Sequence, residues 1–440
     1  MKKILFAVTA LCLTAGCSEE VKSLPTNVTI PSVSETTSVT DTLTTKKENT
    51  TKELTTKTSE ESALKANVEP PDNLILETRE NIEVYEKITI ADLVTETNVE
   101  ILNGDRVIDT SQIGEFEVYI NCMYEKGEFQ QKVNYTVSDT TAPVLLNMGV
   151  SPYVKKGETF DLKKIVGYAD NYDSSPVLSY DGTVDTENIG NYSITASVTD
   201  SSGNQTSWDM TVVVLNEIPS PAASNDDNND GTQFTDFINT YEGDNRKFGI
   251  DVSAWQDNID FNAVKDAGCD FVIIRMGYFY DEIKMDDWYT ENIRKARDAG
   301  LEVGVYFYTT VNSADGVKEL AEYISEQLDG QELDFPVAFD WEEFTTFQEY
   351  GLSIHDLNEL FNLFCAEMEN YGYSAMLYSS KNFLNNFWIN EYKRPVWLAH
   401  FVDDTDYTGD YFMWQASSTG RIDGIDGYVD MNILYTDKIS

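Results

Sequence analysis

Apolar residues in the C-terminal region, from Lys247 to Ser440, recur as short continuous runs of the kind that form buried strands. The runs are GIDVS (249–253), FVIIRMG (271–277), EVGVYFYT (302–309), FPVAFD (335–340), SAMLYSS (374–380), VWLAHF (396–401), FMWQAS (412–417) and VDMNIL (429–434). Eight such strands predict a closed barrel.

The intervals between these runs indicate how the strands are connected. The first four intervals carry helical patterns, FNAVKDAG, WYTENIRKARDAG, VKELAEYISEQLDG and IHDLNELFNLFCAEMENYG, and a shorter one, KNFLNNFWINEY, follows the fifth strand. Parallel strands with crossover helices follow from this pattern. After the sixth and seventh strands about ten and eleven residues remain, which leaves little room for a crossover helix. We therefore expect hairpins between the last strands, in a modified β/α barrel whose final third is sheet alone.

An internal repeat precedes this region. VIDTSQIGEFEV begins at residue 107 and TVDTENIGNYSI begins at residue 183, an offset of 76 residues. In each copy a turn with glycine leads into alternating apolar and polar residues, which predicts strands of small antiparallel β-sandwiches. Both copies resemble the Ig-like modules of bacterial surface proteins. We expect them to be spacers, with wall or sugar binding as the alternative.

The N-terminal segments have a different composition. MKKILFAVTALCLTAGC has two lysines, an apolar run and small residues before Cys17, which is typical of a secretory signal. Its ending resembles the lipobox of bacterial lipoproteins, and this resemblance implies lipid attachment at Cys17; ordinary secretion is the alternative. Residues 18–67 are rich in Ser, Thr, Lys and Glu and predict a disordered tether.

Charge and rare residue types exclude several classes of function. The formal net charge is −45, which argues against nucleic acid as a partner. His355 and His400 are the two histidines, so multi-histidine zinc sites and Ser-His-Asp catalysis are disfavoured. Cys122, Cys269 and Cys365 are expected to be buried free thiols, with a bridge between the last two as the alternative. We expect no metal and no cofactor.

Carboxylates are therefore the candidates for chemistry. Alternation along a strand places Asp340 and Glu342 on one face and Trp341 on the other, and active sites of β/α barrels lie at the carboxyl ends of the strands. Asp251 and Asp430 add two more acids to the same bowl. Crowding and burial raise a carboxyl pKa, so that one acid keeps its proton near neutral pH, as glycoside hydrolysis requires. Glu343 points to the opposite face and is expected to be solvated.

Further residues around the bowl are candidates for binding sugar rings, although we expect about half of the aromatic ones to be core. Alternation places His400 on the opposite face of its strand from Trp397, and we expect it to be packed and hydrogen-bonded. The candidate substrate-binding residues are Tyr306, Tyr308, Tyr378, Trp397, Trp414 and Gln415.

Specific motifs in this region resemble family 25 of the glycoside hydrolases, the Chalaropsis-type lysozymes. They are FGIDVSAWQ, FDWE, WLAHF and FMWQASSTGRIDGIDGYVDMN, in this order. The resemblance implies five β/α units followed by three strands, and cleavage of the β-1,4 bond between N-acetylmuramic acid and N-acetylglucosamine in peptidoglycan. By position, it implies that Glu342 is the general acid, that Asp340 assists it, and that Asp251 and Asp430 complete the acidic floor.

The sequence thus predicts a multidomain surface lipoprotein, a monomer anchored to the outer face of the bacterial membrane through Cys17, with peptidoglycan glycan strands as its partner. Two small all-β Ig-like sandwiches and disordered linkers would precede a modified TIM-type β/α barrel. Alternatives are a non-catalytic glycan-binding or adhesive lipoprotein, an interaction protein acting through its Ig-like repeats, and an enzyme for a related polymer such as chitin. The expected segments are 1–17 (signal peptide), 18–67 (tether), 68–140 and 141–216 (Ig-like sandwiches), 217–245 (acidic linker) and 246–440 (lysozyme barrel).

Overall fold

The structure is a computed structural model that describes residues 68–147, 152–218, 231–280, 282–389 and 393–438. The predicted signal peptide, Cys17 and the tether lie outside the described residues, as do residues 219–230 of the expected linker. The chain divides after Thr140 into two compact units, each treated below by itself.

The first unit contains the first repeat, whose residues alternate between the inside and the outside of a long hairpin. Its elements are β1 (Leu76–Thr78), β2 (Asn81–Glu83), α1 (Ile90–Leu93), β3 (Val94–Thr97), β4 (Glu100–Ile101), β5 (Gly114–Tyr124) and β6 (Gly127–Ser138). One sheet has the order β2-β6-β5-β4, and β1 pairs with β3. Val118, Ile120 and Cys122 are buried at every second position of β5, as alternation requires.

The second repeat has the same strand order. Its elements are β7 (Val144–Asn147), β8 (Tyr153–Lys155), a 3-10 turn (Leu162–Lys164), β9 (Val166–Ala169), β10 (Val177–Gly182), β11 (Gly190–Thr199) and β12 (Gln205–Leu215). One sheet has the order β8-β12-β11-β10, and β7 pairs with β9. Equivalent strands begin at Gly114 and Gly190, at the offset of the sequence repeat. Each repeat therefore folds as a small module built mainly of β-strands, and the first one also contains the short helix α1.

The barrel region contains all eight predicted strands. Its elements are β13 (Thr232–Gln233), α2 (Phe234–Tyr241), β14 (Arg246–Val252), α3 (Phe261–Asp266), β15 (Phe271–Phe279), β16 (Ile283–Met285), α4 (Tyr289–Asp298), β17 (Glu302–Thr309), α5 (Ala314–Leu328), β18 (Val337–Asp340), α6 (Ile354–Asn370), β19 (Ala375–Ser380), α7 (Lys381–Asn386), β20 (Val396–Ala399), β21 (Met413–Arg421) and β22 (Val429–Tyr435), with 3-10 turns at Ala254–Gln256 and Phe344–Tyr350. Helices α3, α5 and α6 begin at polar caps, Asp260, Ser313 and Ser353, whose side chains accept first-turn amides.

Eight strands close into a ring in the order β14-β15-β17-β18-β19-β20-β21-β22, and β22 pairs back onto β14. The ring is parallel from β14 to β21, whereas β22 is antiparallel to both of its neighbours. The expected hairpin between the seventh and eighth strands is therefore confirmed, but the one between the sixth and seventh is wrong. Residues 400–412 return to the start of the barrel without a helix, because an irregular stretch of this length is long enough to do so.

The expected acidic linker ends earlier than its predicted boundary. β13 pairs with β21, and α2 buries Phe234 and Phe237 in the barrel's outer hydrophobic cluster. Amphipathic burial of these two rings fixes the segment to the barrel, so residues 232–241 belong to the barrel and not to a linker.

Two apolar layers hold the barrel together. The larger layer lies between the outward strand faces and the helices, and the smaller one fills the inside of the ring with residues such as Phe271, Met413 and Leu434. Cys122, Cys269 and Cys365 are free and buried, so the prediction of free thiols is confirmed and the bridge alternative is wrong. Among the described residues, no helix combines the length and apolar character needed to cross a bilayer.

Candidate active site

The acid pair lies at the carboxyl end of β18. Asp340 is buried at the last position of the strand, and Glu342, two residues later, is partly accessible. Their side chains are hydrogen-bonded to each other. Trp341 lies on the opposite face, fully buried, and its Nε1 donates to the carbonyl of Val311 at 3.1 Å. The predicted alternation is confirmed here.

The other two predicted acids come from the adjoining strands β14 and β22. Asp251 and Asp430 are direct partners in the antiparallel register, and Asp251 is buried while Asp430 is partly accessible. Because β22 runs antiparallel, its acid stands near the start of the strand and still reaches the open end of the barrel. The structure thus brings all four predicted acids to one end of the ring.

Burial raises the pKa of every member of this group, and the charges of neighbouring acids add to the shift at Glu342, Asp340 and Asp430. Burial, followed by the charges of Glu343 and Asp251, raises the pKa of Glu342 to about 7. Burial and the neighbouring Glu342 hold the pKa of Asp340 well above its usual range. The pKa of Asp430 is also well above its usual range, because of burial and the charges of Asp251 and Glu342. At neutral pH the group therefore retains protons that solvated carboxyls would have lost.

Asp251 is the most firmly held acid. Burial raises its pKa to about 6, and hydrogen bonds from Asn432 and Gln415 oppose that shift. Its Oδ2 accepts Asn432 Nδ2 at 2.8 Å and Gln415 Nε2 at 2.9 Å. The hydroxyl of Tyr378 donates to Gln415 Oε1 at 2.9 Å, and Trp397 Nε1 donates to Asn432 Oδ1 at 2.8 Å. This network fixes both the position and the charge of Asp251.

Gln415, predicted to bind substrate, is thus buried and positions Asp251. Asn432 was not identified from the sequence, although its spacing of two from Asp430 on one strand places it on the same face.

Arg275 is a second residue that the sequence analysis missed. It lies in β15 and forms an ion pair with buried Asp286 at 2.7 Å. Its charge lowers the pKa of Asp340 and so opposes the larger effect of burial. An arginine inside the apolar run FVIIRMG is the signal that could have found it, since a charge in a buried strand needs a partner.

The predicted aromatic platforms need correction. Trp397 is buried inside the ring, with Tyr378 packed on it at 4.6 Å between ring centroids, and Trp414 is buried on the outer face, where its Nε1 donates to the carbonyl of His400 at 2.8 Å. Neither tryptophan has a free ring face for a sugar. Tyr306 and Tyr378 are half-buried against the inner apolar layer.

His400 hydrogen-bonds through Nδ1 to Thr405 Oγ1 at 2.8 Å. The expectation of a hydrogen-bonded structural histidine is confirmed.

Glu343 is not the solvated residue that we expected. It is partly buried, and the hydroxyl of Tyr308, a predicted sugar-binding residue, donates to its Oε1 at 2.6 Å. The ring of Tyr280 lies 5.4 Å from that of Tyr308. β18 ends at Asp340, and Glu343 is already the cap of the 3-10 turn that begins at Phe344, so the alternation that still holds for Trp341 and Glu342 no longer applies to Glu343.

Trp255 is an exposed aromatic residue at the same end of the barrel, and 83% of its surface is accessible. It follows Asp251 in a short 3-10 turn that is fixed by two contacts. Ser253 and Gln256 form a capping box, and the amide of Ala254 donates to Asp286 at 2.9 Å. A fixed turn that exposes a flat apolar ring just after the strand that carries Asp251 is suited to binding a sugar face. The sequence signal was the tryptophan in GIDVSAWQ.

The arrangement suits proton transfer better than cation binding. A carboxyl group binds a divalent cation only when it is ionised and has a free lone pair. Asp340 and Glu342 are bonded to each other with raised pKa values, and Asp251 Oδ2 already accepts two amide donors. Such a group can donate a proton near neutral pH and can stabilise positive charge that develops beside it.

Comparison with known proteins yields two family matches. The profile of glycosyl hydrolases family 25 matches residues 250–425, and that of the bacterial surface protein Ig-like domain matches residues 146–214. The first span contains Asp251, Asp340 and Glu342.

Individual relatives align with the same part of the chain. The autolytic lysozyme of Clostridium acetobutylicum is 30% identical over 42% of this chain and 54% of its own length. The uncharacterized protein YegX of Escherichia coli O157:H7 is 31% identical over 42% of this chain and 68% of its own length. The crystal structure of a bacterial lysozyme from Streptomyces coelicolor is 27% identical, covering 42% of this chain and 90% of that one, with a TM-score of 0.36.

The chain spans about half the length of the autolytic lysozyme and about two thirds of YegX. The acids converge at the open end of an eight-stranded barrel, the family profile covers three of them, and a relative is matched over most of its length. The chain therefore belongs to family 25 of the glycosyl hydrolases and carries a bacterial Ig-like domain ahead of its barrel.

Proposed function

We propose that this protein is a peptidoglycan hydrolase, a lysozyme that cleaves β-1,4 bonds between N-acetylmuramic acid and N-acetylglucosamine, with Glu342 as the general acid. The observation that carries the proposal is the Asp340–Glu342 pair at the barrel mouth, in which the partly accessible member has a pKa raised to about 7. A general acid works best when its pKa lies near the working pH. The names of two relatives, an autolytic lysozyme and a lysozyme of Streptomyces globisporus, support the substrate class.

In this mechanism Glu342 protonates the glycosidic oxygen as the bond to the leaving sugar breaks. Asp340, hydrogen-bonded to Glu342, would orient the N-acetyl group of the substrate, whose oxygen bonds to the anomeric carbon as the leaving sugar departs. Water would then attack that carbon, breaking its bond to the N-acetyl oxygen and giving a proton back to Glu342. Asp251, whose pKa of about 6 leaves it ionised at neutral pH, would stabilise the positive charge that develops on the sugar ring, and Asp430 would position substrate or water. Trp255 would stack on a sugar of the bound glycan strand.

We also propose the cellular setting predicted from the sequence. A lipid on Cys17 would anchor a monomer to the outer face of the bacterial membrane, and residues 18–67 would tether it towards the wall. We further assign the barrel to the modified TIM type, with Ig-like repeats ahead of it.

The test is muropeptide release by the full chain from purified peptidoglycan, with the new reducing ends reduced and identified by mass spectrometry. The parent is expected to produce reducing N-acetylmuramic acid ends, and Glu342→Gln is expected to lower kcat by about a hundredfold or more. Glu326→Gln is the matched control, because Glu326 is an exposed glutamate on α5.

Three outcomes would overturn the proposal. Reducing N-acetylglucosamine ends would assign a different bond, and hydrolysis of chitin in place of peptidoglycan would assign a different polymer. Binding to the wall by both parent and Glu342→Gln, without release by either, would indicate a glycan-binding or adhesive protein.

A further inference from the structure

The second Ig-like module does not behave as a separate spacer in the structure, because it contacts the segment that follows the catalytic strand. Gln348 Nε2, in the 3-10 turn after Glu343, donates to the carbonyl of Tyr168 at 2.9 Å. The amide of Ile354 donates to the carbonyl of Asp170 at 2.7 Å, and the amide of His355 donates to that of Asn171 at 3.3 Å. Strand β9 and the turn after it therefore meet the barrel directly.

Two of these bonds lie at the first turn of α6. The first amides of a helix have no partner within the helix and need an acceptor from elsewhere. Ser353 supplies one by accepting the amide of Asp356 in a capping box. Carbonyls of the Ig-like module supply two more, so the start of α6 is completed by a different domain.

The contact also has an apolar part. Ala169, the last residue of β9, is fully buried and belongs to the outer hydrophobic cluster of the barrel. Val144 and Leu146 of β7, the partner strand of β9, are partly buried against the same cluster. A continuous apolar contact with hydrogen bonds is the interior of one folded unit, not the loose joint of a tether.

The contacted turn lies directly behind the acid pair. The amide of Phe344 donates to the carbonyl of Glu342 at 2.8 Å. The ring of Trp341 packs against Phe344, Phe347 and Tyr350 of the turn, with centroid distances of 5.1, 5.6 and 5.2 Å. Trp341 stands between Asp340 and Glu342 in the chain, so the packing of its ring fixes the backbone that aims both carboxyls.

We propose that the second Ig-like module is a positioning part of the active site: by holding the turn Phe344–Tyr350 and the start of α6, it keeps Glu342 aimed at the glycosidic oxygen. This inference rests on the proposed hydrolase function. Tyr168, Ala169 and Gln348 are positioning residues, because they act on the acids through the turn and Trp341. Under this proposal the second repeat has a role beyond that of the spacer expected from the sequence.

The experiment compares full-length variants on either side of the contact. Ala169→Arg places a charge in the buried contact from the Ig-like side, and Gln348→Ala removes the bond to Tyr168 from the barrel side. Ser193→Arg is the control, because Ser193 is exposed on β11 of the same module. Hydrogen exchange of residues 344–355 and the separate values of kcat and KM are measured on folded protein.

Both contact variants are expected to speed hydrogen exchange in residues 344–355 and to lower kcat about tenfold, while KM stays within about twofold. The reason is that a misplaced general acid stabilises the transition state less well but hardly affects the binding of substrate. A purely structural role would lower the amount of folded protein without changing kcat per folded molecule. If Ala169→Arg does not fold, Gln348→Ala decides alone.

The inference is overturned if a folded contact variant keeps the kcat of Ser193→Arg, whether or not its exchange is faster. Failure of the proposed function has a different signature, because the parent itself would then release no muropeptides.

Discussion

At the closed end of the barrel, the inward side chains of β15, β21 and β22 are Phe271, Met413 and Leu434, and Phe335 packs on Phe271 at 5.2 Å between ring centroids. At the open end, inward positions of the same ring of strands carry Asp251, Arg275, Asp340, Gln415 and Asp430. One end is dry and apolar, and the other holds four carboxyls whose pKa values are raised.

The two ends of the same strands thus have different roles: side chains at the closed end stabilise the fold, and side chains at the open end carry the chemistry. Apolar side chains at the closed end stabilise the fold by leaving water and packing densely. The carboxyls at the open end resist ionisation because burial has removed their water, so the fold disfavours their charged forms. Because its charged form is disfavoured, Glu342 keeps near neutral pH the proton that it would donate. Variants at the two ends should therefore have different consequences.

Met413→Ala breaks the closed end and is expected to have the largest effect on stability. Met413 is fully buried in the inner apolar layer, and truncating such a residue lowers the free energy of unfolding by about 2–5 kcal/mol. Denaturant unfolding followed by tryptophan fluorescence measures the loss, and kcat of the folded fraction should stay near that of the parent. A kcat as low as that of Glu342→Gln would mean that packing at the closed end also determines catalysis at the open end.

The same contrast explains what the sequence could predict. Each strand of the ring buries apolar side chains on its outer face, so all eight appear as apolar runs. Asp340 and Glu342 follow from alternation at the end of β18. Alternation also argues against Trp414 as a site residue, because its neighbour Gln415 points inward, and adjacent residues on a strand cannot share a face.

Other features depended on information that lies outside local patterns. The parallel pairing of β20 with β21 could not be distinguished from a hairpin, since a helix-free stretch can make either connection. Glu343 lies where the strand has ended, so no periodicity applies to it. Docking of β9 against the turn after Glu343 depends on two surfaces far apart in sequence, and neither carries a local signature.

Trp255→Ala sharpens the description of the open end as a sugar site. Loss of the exposed ring should remove about 1 kcal/mol of stacking and raise KM about fivefold, with kcat and stability nearly unchanged. Steady-state kinetics on soluble glycan fragments measures the change. Trp255→Tyr keeps a flat ring and should retain most of the affinity. An unchanged KM in Trp255→Ala would remove this residue from the binding surface.

Glu343→Gln tests whether the charge of Glu343 raises the pKa of Glu342. The negative charge of Glu343 raises the pKa of Glu342, so removing it should lower that pKa from about 7. Since Glu342 must be protonated to act, activity falls as pH rises through its pKa. The alkaline limb of the kcat profile should therefore move to lower pH, by roughly half a unit or more for a charge this close.

Tyr308→Phe is the companion variant for Glu343→Gln. It removes the hydrogen bond to Glu343 while leaving the charge of that residue in place. Its alkaline limb should stay close to that of the parent, because the charge that raises the pKa of Glu342 is retained. A limb that moves to higher pH in Glu343→Gln would contradict the electrostatic explanation.

Asp257→Gly tests whether the open end also stores backbone strain. Asp257 closes the turn that presents Trp255 and has φ 47° and ψ −134°, a conformation that glycine adopts far more readily than a residue with a Cβ. Relief of this strain, offset in part by the greater entropy of glycine in the unfolded chain, should raise the free energy of unfolding by about 0.5–1 kcal/mol. Denaturant unfolding of the two proteins measures the gain, and Asp298→Gly, in the last turn of α4, should instead destabilise. A loss of stability in Asp257→Gly would mean that the aspartate side chain stabilises the turn by more than its backbone strain destabilises it. The turn that carries Trp255 would then be held by side-chain contacts, as the closed end of the barrel is.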